Sequence, residues 1–127
     1  IIFDPEKSLS LDGDSGPYLQ YALVRAKSIL AQATRKPAAA ASEGETEVLA
    51  RLIARFPEVV ARAEILKAPH AITQYLTQLA SEWNSYYVSG KIIGSADESG
   101  RLALVHAFAT TMENGLTLLG IPAPEKM

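Results

Sequence analysis

Residues 17–34 read PYLQYALVRAKSILAQAT. Leu19, Ala22, Leu23, Ala26, Ile29, Leu30 and Ala33 recur at steps of three and four, which lays one apolar stripe along a helix. Pro17 suits a first helical turn, where its missing N–H would have no partner, and Asp14 or Ser15 can supply the cap. A helix from about Pro17 to Thr34 is therefore expected. Residues 1–16 read as a lead-in segment, with turn chemistry at Asp4-Pro5 and at Asp12-Gly13-Asp14-Ser15-Gly16.

Working outward, residues 35–45 (RKPAAAASEGE) hold few large apolar side chains, and Pro37 stops the helix before them. They read as an exposed, flexible linker. A second helix is expected from about Thr46 to Phe56, with Val48, Leu49, Leu52, Ile53 and Phe56 inward. Pro57 opens a third, Glu58 suits its positive end, and Val59, Val60, Ala63 and Leu66 face in. Ala68-Pro69 breaks it. The fourth spans about His70–Ser89, with Ile72, Leu76, Leu79, Ala80, Trp83 and Tyr87 on one broad face, and ends at Gly90. Residues 91–94 are too short to assign, and 95–100 read as a polar loop. The fifth spans about Ser99–Leu119, with Leu102, Val105, Phe108, Ala109, Met112, Leu116 and Leu119 buried. Gly120 fits its left-handed cap, and Pro122 follows the stop. No alternating run is long enough for a sheet. The expected fold class is all-α, a bundle of about five helices over 17–127.

Composition narrows the chemistry. The 127 residues give room for one core. Apolar residues make up 48% and charged residues 20%, an ordinary globular balance. Lys plus Arg is 12 and Asp plus Glu is 14, hence 12 − 14 = −2. A bulk electrostatic binder of nucleic acid would be basic, so any RNA contact must use a local patch and stacking. The absence of cysteine excludes disulfides, thiolate nucleophiles and cysteine-based zinc sites. No apolar run approaches the roughly 20 residues that span a bilayer, and no signal-peptide pattern is present. The chain opens on Ile1 and reads as a piece of a longer polypeptide. His70 and His106 lie in no HExxH or H-x-E pattern, and His106 reads as a helix-flank residue. Asp12 and Asp14 lack the spacing of a calcium loop. Gly13–Pro17 is not followed by the Lys-Ser/Thr of a phosphate loop. No nucleophile–base pair is visible, so neither catalytic nor metal residues are assigned.

Aromatic residues carry more information. Tyr18 and Tyr21 are three apart on one helix, while Trp83 and Tyr87, with Tyr86 between them, are four apart on another. Arg25 follows Tyr21 by four and extends its face, and Lys27, Arg35 and Lys36 come soon after. Two readings stand side by side. The rings can cap the bundle core, or they can form a stacking platform for unpaired bases beside a cation. Trp83 needs a partner for its indole N–H if it is buried. Gln20 and Asn114 carry the paired donor and acceptor that read a base edge, or are merely solvated. Arg51, Arg55 and Arg62 read as solvated faces.

The stretch Ser10-Leu11-Asp12-Gly13-Asp14-Ser15-Gly16-Pro17-Tyr18-Leu19-Gln20-Tyr21-Ala22-Leu23-Val24-Arg25, continued by Ser28-Ile29-Leu30, closely resembles a segment of arginyl-tRNA synthetases. A second stretch resembles the end of the same family: Leu79 through Tyr87, Arg101–Val105, Asn114-Gly115-Leu116, Leu118–Ile121 and the closing Pro124-Glu125-Lys126-Met127. The resemblance is to the C-terminal, DALR-type anticodon-binding domain and covers nearly the whole chain. It implies a helical bundle of the class I synthetase anticodon-binding type. It implies the anticodon stem-loop of tRNA(Arg) as partner, together with the parent's own catalytic domain. That separate Rossmann domain would use ATP and Mg to activate arginine, so no cofactor is expected here. The family's His-x-Gly-His motif and Lys-Met-Ser-Lys-Ser-type loop are missing, and the fragment alone should be inactive. The resemblance places Tyr18, Tyr21, Arg25, Trp83, Tyr87 and Met127 at the anticodon loop. Lys126 departs from the family's usual arginine and loses its bidentate fork. Val88-Ser89-Gly90-Lys91 also departs from the family pattern. A cytoplasmic, monomeric parent without membrane contact is expected. The alternative is a helical protein-interaction module without RNA, which would seal the rings in its interior and expose an apolar patch.

Overall fold

The computed structural model describes residues 5–33, 45–90, 92–93 and 97–127, with side chains from Gly16 to Ala33 and from Glu47 onward. Its helices are α1 (Pro5–Gln32), α2 (Glu45–Ala54), α3 (Phe56–Leu66), α4 (His70–Ser89) and α5 (Glu98–Leu118). Arg55 alone separates α2 from α3. No strand occurs among the described residues.

α4 packs against each of the other helices, and α1 packs mainly against α5 and α4. The fully buried core joins Leu19 and Leu23 of α1, Leu49 of α2, Leu76, Leu79 and Trp83 of α4, and Leu102, Val105, Phe108, Met112 and Leu116 of α5. Gly115 lets α4 and α5 touch: a Cβ built on it would lie 2.6 Å from a Leu76 methyl. Tyr75 of α4 is buried, and its hydroxyl donates to the Leu52 carbonyl at 2.6 Å, supplying a partner to the last turn of α2. Burial pushes the Tyr75 phenol up to about 12, against a smaller opposing pull from Arg55.

The helix ends follow local chemistry. Lys67, at φ 51°, closes α3 in the left-handed conformation. Gly120, at φ 73°, closes α5. There the Gly120 N–H bonds the Thr117 carbonyl at 3.1 Å and the Ile121 N–H bonds Leu116 at 2.9 Å, the paired bonds of a Schellman motif. The chain then doubles back along α1. Gln20 Nε2 donates to the Pro122 carbonyl at 2.9 Å, and Lys27 Nζ pairs with Glu125 at 2.7 Å and with Glu113 of α5 at 3.7 Å.

Several expectations are corrected. α1 begins at Pro5 rather than Pro17, so most of the expected lead-in is helical and Asp14 and Ser15 do not cap a helix start. Pro17 sits inside α1 and costs it one ladder bond. Val48 and Leu66, expected inward, are 49% and 65% exposed. α2 and α3 each lie along one side of the bundle, and Leu49, Leu52 and Ala63 occupy the narrower buried stripe. Tyr86 and Leu104, in no expected stripe, are buried. Of the expected linker, 35–44 lie outside the described residues, and Glu45 already belongs to α2. No helix among the described residues is long and apolar enough to cross a membrane.

Candidate nucleic-acid interface

At about 100° per residue, Tyr18, Tyr21 and Arg25 share one flank of α1 beside its buried stripe. α4 brings Asn84 and Tyr87 against that flank. The Arg25 guanidinium carbon lies 5.0 Å from the centre of the Tyr21 ring and 4.1 Å from that of Tyr87. The cation is therefore held against two π-faces, one from each helix. Arg25 Nη1 donates to Asn84 Oδ1 at 3.4 Å, and Asn84 Nδ2 donates to the Tyr18 hydroxyl at 3.1 Å. Tyr18 is 39% exposed and Tyr21 is 52% exposed. Tyr87 is half-buried and packs against the core. The structure thus gathers four of the expected residues into one half-open patch.

Trp83 is corrected. It is wholly buried, with its ring stacked on Phe108 at 4.6 Å and 10°, so no face is open to a base. It lies one turn after Leu79, toward α5, and forms the floor beneath Tyr87, whose ring centre is 6.0 Å away. Its indole N–H, expected to need a partner, has none among the described residues, and neither has the buried Tyr86 hydroxyl. Burial raises the Tyr86 pKa; Arg101 opposes the shift and Asp97 adds to it.

Gln20 lies apart from the rings. Its amide N–H₂ holds Pro122, and Gln20 and Lys27 lie on the flank of α1 away from the rings. Asn114 is exposed on α5 and Met127 is 66% exposed on the tail. Neither makes a hydrogen bond to the ring patch among the described residues. His106 is exposed. Asn84 was missed. Its only signal in the sequence is an amide three positions before an expected ring, and α1 must be set beside α4 before that signal means anything.

Lys27 pairs with Glu113 and Glu125, Arg51 with Glu47, and Arg62 with Glu58 at 3.7 Å. Arg25 has no carboxylate partner among the described residues. It presents a flat, permanently charged fork, fixed at one corner, beside two half-open phenol rings. No group of three or more His, Cys, Asp or Glu able to hold a metal occurs among the described residues.

The family profile described as DALR anticodon binding domain matches residues 19–127. Arginine–tRNA ligases of Streptococcus pneumoniae strains Hungary19A-6 and G54 (serotype 19F) are each 38% identical over 130 residues, covering 98% of this chain and 23% of their own length. The solved Thermus thermophilus arginyl-tRNA synthetase superposes with a TM-score of 0.84 at 38% identity, again over 98% of this chain and 23% of that one. The chain spans less than a quarter of the length of the curated relatives it matches. On the match of its profile to nearly the whole chain, and of its fold to a synthetase of known structure, the chain belongs to the DALR anticodon-binding domain family.

Proposed function

We propose that this chain binds the anticodon stem-loop of tRNA(Arg) as the anticodon-binding domain of an arginine–tRNA ligase. The parent would be a cytoplasmic monomer whose separate catalytic domain uses ATP and Mg to charge the tRNA. The observation that carries this reading is Arg25, held between Tyr21 and Tyr87 with no carboxylate partner among the described residues. Sequence-specific RNA recognition takes bases out of their stack, lays them on rings and reads their edges. The exposed face of Tyr21 offers a ring, and the unengaged donors of Arg25 match the carbonyl and ring-nitrogen edge of an unpaired base. Such contacts need few phosphates, which suits a chain of net charge −2. The half-open Tyr18 and Tyr21 disfavour a module that seals its rings inside.

The test is anisotropy of a labelled anticodon stem-loop titrated with the full-length protein at fixed salt. Tyr21→Ala and Arg25→Ala should each raise Kd about 5- to 150-fold, the equivalent of one stacked base, with melting temperature nearly unchanged. Wild-type affinity in both variants would end this reading.

A further inference from the structure

We infer that Asn84 is a positioning residue for RNA binding, acting through Arg25. This rests on the reading of Tyr21 and Arg25 as the RNA-binding face. Tyr18 and Arg25 are seven positions apart, two turns of α1, and one side chain from α4 reaches both. Asn84 Oδ1 accepts from Arg25 Nη1 at 3.4 Å while Nδ2 donates to the Tyr18 hydroxyl at 3.1 Å. The amide cannot be reversed without setting its N–H₂ against a guanidinium N–H, two donors face to face, so the network fixes its orientation. Asn84 Oδ1 is the one acceptor for Arg25 among the described residues, and the two rings restrain only the plane of the guanidinium. A cation held over a π-face can still turn within that plane. The bond to Asn84 fixes that angle, and with it the direction in which the remaining N–H groups point. Tyr18 is held at the same time, so both ends of the α1 face are referred to a single residue of α4.

A double-mutant cycle on the full-length protein tests this, with the same labelled stem-loop and a second one carrying a base substitution in the loop. Asn84→Leu should weaken binding about tenfold and reduce the preference for the unsubstituted loop. Arg25→Ala should weaken it more. The double variant should be no weaker than Arg25→Ala alone, because a residue acting through Arg25 has nothing left to position. Asn84→Asp keeps an acceptor for Arg25 and for the Tyr18 hydroxyl proton, so it should retain loop discrimination while its carboxylate, by pairing with Arg25, lowers affinity for both loops alike. Wild-type binding by Asn84→Leu, or additive losses in the double variant, overturns the inference while leaving the RNA-binding face in place. Wild-type binding by Arg25→Ala overturns the inference, and wild-type binding by Tyr21→Ala as well removes that face with it.

Discussion

Trp83 stacks flat on Phe108 and supports Tyr87 from below. Removing it empties a fully enclosed site, so Trp83→Ala should cost about 3–5 kcal/mol. Urea denaturation measures this, and at low temperature, where the variant is still folded, RNA affinity should fall less than for Arg25→Ala. The four-residue step from Tyr21 to Arg25 was legible because a shared helix face is a local property of the chain. The depth of Trp83 was not, since it depends on where α5 approaches. Asn84 was less legible still: its partners are 66 and 59 positions away, and nothing nearby in the chain announces them.

Among elements, α4 was read within its bounds from periodicity and its terminal glycine, and the Gly120 stop of α5 from the need for a left-handed cap. The start of α1 was not. Each Gly at 13 and 16 costs a helix only about 1 kcal/mol, so the turn signals around Pro17 weakened the helix without ending it. Where α5 meets α4, Gly115 leaves no room for a side chain. Gly115→Ala would drive a methyl into Leu76, which is wholly buried and has little freedom to retreat. A loss of about 1–3 kcal/mol is expected, read as a lower denaturation midpoint at unchanged slope.

For the molecule as a whole, Tyr75 sets a limit at high pH. Its phenol ionises near 10 in an unfolded chain and near 12 when folded. Below pH 10 both states hold the proton and the contribution is complete. Between 10 and 12 the unfolded chain gives up its proton first, so stability falls as pH rises. Melting temperatures from pH 8 to 11 should decline, and Tyr75→Phe should flatten the decline while losing about 1 kcal/mol with the bond to Leu52. The same helix that carries the ring patch also carries Gln20 and Lys27, which fasten the tail on its other side. Length is therefore the one property α1 cannot vary between Tyr18 and Lys27. Deleting a single residue there would keep nearly every side-chain type yet rotate one half of the helix by about 100° against the other, parting Tyr18 from Arg25 and Gln20 from Lys27 in the same stroke.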